Sequence, residues 1–171
     1  MIAFRPHIVG RATWLILFFW ISIFAVGYFA VSAIQAPNVA RATTEGAARG
    51  EIVIPKSRDG HYYVDGAINA TPVTFLVDTG ASVVTIGPEF SKRARLAGGD
   101  PVKLDTVGGA VTGEMVPGIT IIAGGIRIEG LRVAVSPSMR GEHALLGQNF
   151  LRHVAIEQRG EQLILRVAGS R

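Results

Sequence analysis

The sequence predicts an all-β domain of barrel type with one or two short helices, carried behind an N-terminal transmembrane helix. Three observations predict it. One uncharged apolar run, Ala12 to Ile34 (ATWLILFFWISIFAVGYFAVSAI), lies near the start. From Glu51 onward, short β-branched runs alternate with clusters of Gly, Asn, Asp and Pro, which is how strands and turns are written. Only the stretches after Pro88 and after Gly147 read as helical in that region. With 171 residues and 49% hydrophobic content, the chain has room for one packed domain plus an appendage, and a disordered protein is excluded.

Taken as a helix at about 1.5 Å per residue, residues 12–34 cover a hydrocarbon core of about 30 Å. The apolar core of a secretory signal is shorter, about 7 to 15 residues, so an uncleaved anchor is expected. Val31-Ser32-Ala33 would serve as a cleavage site in the alternative, a secreted soluble form. Arg5 and Arg11 before the span are balanced by Arg41 and Arg49 after it. Because Arg11 abuts the span and the terminal amine adds charge on that side, residues 1–11 are expected in the cytoplasm and the domain outside it.

A sequence pI near 10 raises the question of nucleic acid, and the distribution of charge answers it. Of the 17 lysines and arginines four precede Gly50, and of the 13 acidic residues one does, which leaves 13 bases against 12 acids beyond it. The domain is nearly neutral, the basic excess sits beside the lipid bilayer, and no basic run interleaved with aromatics marks a nucleic-acid surface. No cysteine is present, which removes disulfides and thiol nucleophiles. His7, His61, His143 and His153 do not fall at metal-ligand spacing and read as surface histidines, so no metal or cofactor is expected.

Residues 35–50 (QAPNVARATTEGAARG) are small, polar and aperiodic, a flexible tether ahead of a domain over 51–171. Glu51 to Pro55 is a β-branched strand, and Asp59-Gly60 a turn. His61 to Ala67 is a strand with Gly66 as a bulge, and Asn69 to Pro72 a turn, which explains Asn69-Ala70-Thr71 without glycosylation. Val73 to Val77 and Val83 to Ile86 are strands around Asp78. Pro88 to Leu96 is a helix opened by proline and stopped at Gly98-Gly99. Val102 to Thr106 and Val111 to Val116 pair as a hairpin around Gly108-Gly109. Ile119 to Ile122, Ile126 to Ile128 and Leu131 to Val135 continue the meander, turning at Gly124-Gly125 and Glu129-Gly130. Ala144 to Gly147 is a buried strand, Gln148 to His153 a single helical turn, and Val154 to Gln158 and Leu163 to Val167 the last strands.

Within this frame, FLVDTGAS (Phe75 to Ser82) brings one bare aspartate to the end of an apolar strand and turns at once on Gly80. Together with GHYYVDGAIN (Gly60 to Asn69) and LLGQNFL (Leu145 to Leu151), it resembles the retropepsin-like aspartic proteases of the bacterial, membrane-anchored, single-domain type, over roughly Gly60 to Arg166. The resemblance implies the acid-protease fold, a closed retropepsin-like β-barrel, and a domain held on the inner membrane of a bacterium by a single pass. It implies Asp78 as the catalytic residue and Thr79, Gly80, Ala81 and Ser82 as the supporting loop. Leu145, Leu146 and Gly147 become the strand crossing beneath that loop, and Val107, Gly108, Gly109, Ala110 and Val111 a flap. Where retroviral members usually have Gly-Arg-Asp, this chain has Gly147-Gln148-Asn149, so retroviral dimer contacts do not transfer.

Peptide hydrolysis by carboxyls alone needs one group as base toward water and another as acid, which two carboxyls about 3 Å apart achieve by sharing one proton. The chain holds a single Asp-Thr-Gly; Asp59-Gly60 and Asp65-Gly66 lack the threonine. A homodimer that pairs Asp78 with its own copy is therefore expected. The expected partners are a peptide or protein substrate, apolar beside the cut bond, a second copy and the bilayer. The alternative is a catalytically silent, membrane-anchored dimerisation or peptide-binding module on the same fold.

Overall fold

Helix α1 spans Arg11–Gln35 in the computed structural model, which describes residues 11–35, 50–96, 98–106 and 108–167. The chain divides into two units, residues 1–36 and 37–171. Every described side chain from Thr13 to Ser32 on α1 is exposed, and the helix is long and apolar enough to cross a membrane. Ser22 Oγ on α1 donates to the Phe18 carbonyl at 2.9 Å, so this hydroxyl is satisfied within the helix. The expected cytoplasmic segment before Arg11 and the tether between Gln35 and Gly50 lie outside the described residues.

The second unit contains β1 (Glu51–Pro55), β2 (Tyr63–Ile68), β3 (Thr71–Val77), β4 (Val84–Ile86), α2 (Pro88–Arg93), β5 (Asp100–Thr106) and β6 (Gly109–Ala123). It continues with β7 (Ile126–Val135), β8 (Ala144–Leu146), α3 (Gln148–Leu151), β9 (Val154–Arg159) and β10 (Gln162–Val167). Hydrogen bonding runs β2-β3-β8-β4-β7-β6, and β6 returns to β2 through Gly66–Ile68 against Ile121–Ala123. Six strands thus close a barrel. Strand β5 is bonded to β6 outside the ring, and β1-β10-β9 form a separate three-stranded sheet.

Alternation along the strands builds the core. Val84 opposes Val133, Ile86 opposes Val135 and Phe75 opposes Ala144, all buried. Phe90 from α2, with Phe150 and Leu151 from α3, packs against the same cluster. Each such side chain contributes roughly 1.5–3 kcal/mol when fully buried. Ile52, Ile54, Leu163 and Leu165 join this core from the three-stranded sheet. On that sheet's other side Arg166 reaches Glu51 and Glu157, each at 2.8 Å. Hydrogen bonds from Arg159 and then Arg166 hold the Glu157 carboxyl below its ordinary range.

Four local expectations are corrected. Gly66 is not a bulge: it lies in continuous register with Val73 and also faces Ala123, and an added Cβ would sit 2.0 Å from the Ile122 carbonyl oxygen. It is glycine because two backbones meet there. Glu129-Gly130 is not a turn but an irregularity inside one strand, β7, facing a register shift between Val116 and Ile121 of β6. Gly130 (φ 72°) and Gly118 (φ 75°) supply the left-handed backbone that the shift requires. For the same reason Val111 to Val116 and Ile119 to Ile122 are one strand running through Pro117-Gly118. Finally, α2 stops at Arg93, before the glycines, because Arg95 takes φ 52° and Leu96 folds back, donating its N–H to Ser91 O and accepting from Ser91 Oγ.

Candidate active site

Strand β3 carries the chain to Asp78, whose N–H donates to the Leu146 carbonyl at 3.2 Å. The carboxyl, half-buried, turns back onto its own loop, Oδ1 accepting from the Gly80 N–H at 2.9 Å. A Cβ on Gly80 would stand 3.2 Å from that oxygen, so glycine gives the carboxyl room to approach the backbone.

The loop is held from below. Strand β8 inserts between β3 and β4, parallel to the first and antiparallel to the second, so the chain from Asp78 to Val83 spans it. Beyond β8, the N–H groups of Gln148 and Asn149 donate to the carbonyls of Ala81 (2.8 Å) and Ser82 (3.1 Å). Gln148 Nε2 donates to Thr79 O at 3.0 Å. Asn149 Oδ1 accepts from Val84 N–H at 2.8 Å, while its Nδ2 donates to Arg132 O at 2.7 Å. Gly147 makes this possible, because a Cβ there would lie 2.4 Å from Val83 O and 2.8 Å from Ala81 O.

The structure therefore brings together Asp78, Thr79, Gly80, Ala81 and Ser82 with Leu145, Leu146 and Gly147. The glycines at 108 and 109 with Ala110 and Val111 lie on a separate hairpin, β5–β6, in which Thr106 pairs with Gly109; Val107 lies outside the described residues. Thr106 Oγ1 donates to the Gly109 carbonyl at 2.7 Å. Residues 109–113 of β6 have β5 as their ladder partner, and pairing with β7 begins at Glu114, so this end projects from the barrel as a two-stranded ribbon.

Sequence reasoning missed Gln148 and Asn149 as braces. It also missed the wall beside Asp78. Register aligns Tyr63, Leu76, Leu145, Thr85 and Ala134 in one row across five strands, on the face opposite the core residues Val84, Ile86 and Phe75. Counting inward-outward alternation along each short strand would have found it. At one end, Tyr63 donates to Asp59 Oδ2 at 2.7 Å, with the rings of His61 and His143 at 6.4 and 5.6 Å. Burial first, and the Asp59 carboxylate second, push the Tyr63 hydroxyl up to about 12. Asp59 is held low, chiefly by that hydroxyl and then by the His61 N–H.

One chain presents one such carboxyl, in a loop whose backbone is fixed by its neighbours. The family described as "gag-polyprotein putative aspartyl protease" matches residues 64–153, just over half of the 171, a range that takes in both the loop and β8. The chain belongs to this family. Its fold is similar to the crystal structure of a retropepsin-like aspartic protease from Rickettsia conorii, with a TM-score of 0.60 and 24% identity. That match covers 69% of this chain and 91% of the other, and it supports the closed barrel with few helices. A Rickettsia prowazekii protein named Uncharacterized protein RP867 is 41% identical over 44 residues, 26% of this chain and 19% of that one. The matched stretch is thus a small part of the Rickettsia prowazekii protein's length.

Proposed function

We propose that the protein is a membrane-anchored aspartic endopeptidase in which two copies of Asp78, one from each chain of a homodimer, share a proton and activate water. The observation that carries this reading is the braced, half-buried Asp78 in a family of aspartic proteases, with one Asp-Thr-Gly per chain. The ionised partner takes a proton from water as it attacks the peptide carbonyl; the protonated partner gives its own to the carbonyl oxygen. Collapse of the resulting diol returns a proton to the leaving nitrogen. Gly80 N–H bonds one carboxyl oxygen, which leaves the other to meet water. In such a dimer the Thr79 side chain, exposed in the single chain, would hydrogen-bond across the two-fold axis.

In this reading residues 12–34 span the inner membrane once, residues 35–50 form the tether, and residues 51–171, the protease domain, face the periplasm. Confinement in a bilayer raises the local concentration of the two halves. The test is digestion of a peptide library by wild type and Asp78→Asn, alongside sedimentation of both. Asp78→Asn is expected to dimerise and to lose at least about 10³-fold in kcat. A wild type that dimerises and cuts nothing between pH 3 and pH 8 overturns the reading in favour of a binding module.

A further inference from the structure

The wall of residues beside Asp78 does not end on an apolar side chain. In the parallel register that sets Val84 against Val133 and Thr85 against Ala134, Arg132 falls opposite Val83 and on the face of Ala134, not of the buried Leu131 and Val133. It therefore shares the face of Leu76, Leu145, Thr85 and Ala134 and lies two residues along β7 from the row they form. A cleft of about 490 Å³ opens there, lined by Ser82, Val83, Arg132, Gln148, Asn149 and Arg152 among others, with no carboxylate in its lining. It begins at the last residue of the Asp78 loop.

Three features make this a shaped and charged site. The Arg132 backbone is fixed by Asn149 Nδ2 at 2.7 Å, the same amide group whose Oδ1 receives Val84 N–H, so the guanidinium springs from a point tied to the active loop. The left-handed Gly130 (φ 72°) and the register shift of β6 against β7 re-aim the strand just before it. Neither Arg132 nor Arg152 has a carboxylate partner among the described residues. Glu129, the acid nearest to Arg132 in sequence, is taken by Arg127 at 2.7 Å, and Arg152 Nε instead contacts His153 Nε2 at 3.5 Å. Elsewhere on the domain Arg93, Arg127, Arg159 and Arg166 are all paired with glutamates. Two uncompensated guanidiniums lining one cleft, with a hydroxyl and two amides, fit a carboxylate held by charge-assisted hydrogen bonds.

Resting on the protease reading, we infer that this cleft is an outer substrate subsite that takes an acidic side chain of the peptide, Glu or Asp. Between β3, which carries Asp78, and β7, which carries Arg132, lie three strand spacings, on the order of 14 Å. An extended peptide rises about 3.4 Å per residue, which places the acidic residue about three or four positions from the cut bond. Nearer positions meet the Leu76, Leu145 and Thr85 wall and stay apolar. Because two-fold symmetry repeats the cleft, an acid is accepted on either side of the cut.

The experiment compares peptides that share an apolar centre and carry Glu, Gln or Lys at the third or fourth position, using the full chain in detergent. For wild type, kcat/KM is expected to be about tenfold higher with Glu than with Gln, an advantage that shrinks as salt rises. Arg132→Gln should remove the difference between the Glu and Gln peptides, and Arg132→Glu should move the preference to Lys. Equal cleavage of Glu and Gln peptides by wild type overturns the subsite and leaves the protease reading intact. If no peptide is cut, the protease reading fails, and fluorescence anisotropy of the same peptides on Asp78→Asn decides the subsite: equal affinity for Glu and Gln overturns it.

Discussion

The Asp78 loop and the β5–β6 ribbon are both turns with glycine at their heart, yet they are held in opposite ways. Around the loop, Gln148 and Asn149 contribute five hydrogen bonds, two from main-chain N–H groups to Ala81 and Ser82 and three through their side-chain amides to Thr79, Val84 and Arg132. Gly147 packs so closely beneath that no side chain fits. The tip of the ribbon has its own two strands for support, and a Cβ on Gly109 would meet nothing within 4 Å. Under the proposed function the difference has a use: a catalytic carboxyl has to be pre-placed, since error in its position is lost directly in rate, whereas a flap that admits a peptide has to be able to yield. Local stability follows from that difference in partners.

Breaking the brace should have the largest effect. Gly147→Ala forces a methyl to within 2.4 Å of the Val83 carbonyl oxygen and 2.8 Å of that of Ala81; both are backbone atoms in a packed crossing and cannot step aside. A loss of about 3 kcal/mol or more in unfolding free energy is expected from such overpacking, read by urea denaturation, and an unchanged midpoint would show that the crossing is looser than these distances imply. Asn149→Ala sharpens the comparison at intermediate cost. It removes the acceptor of Val84 N–H and the donor to Arg132 O, for an expected loss of about 2 kcal/mol. Hydrogen exchange should quicken at Val84 more than at Val102 of the ribbon. The smallest effect is expected from Gly109→Ala. Its φ of 105° is strained for any side chain while the space around it is open, so roughly 1 kcal/mol is lost. That loss should appear as a change in KM for peptide rather than in kcat.

The same contrast decides what could be read from the sequence. Asp78-Thr79-Gly80 announces itself because a charged residue ends an apolar strand, and Leu145-Leu146-Gly147 because an apolar pair precedes glycine and a helical turn; both signals are local. The succession of strands along the chain, the helices after Pro88 and Gly147, and the hairpin at Gly108-Gly109 are legible for the same reason, but not the order of the strands within the sheet. The bracing role of Gln148 and Asn149 was not, since it exists only once residues 65 to 69 positions apart are brought together. Nor was the nature of Glu129-Gly130: a glycine after an acid reads as a turn, and only the facing register of β6 shows that the strand continues. Gly66 failed in the same way, its cause being the approach of Ile122, distant in sequence. Arg132 is one of many surface arginines until the sheet sets it beside the Asp78 loop.

The ring of six strands has a seam, and Gly66 sits on it. Ring closure relies on three facing pairs between β2 and β6, drawn together at a point where a single methyl group would collide with main chain. Were that join to open, Ile68 and Ile121, both fully buried now, would flank two bare strand borders of the kind through which proteins stick to strangers. One missing side chain thus keeps the domain from offering its neighbours an adhesive edge.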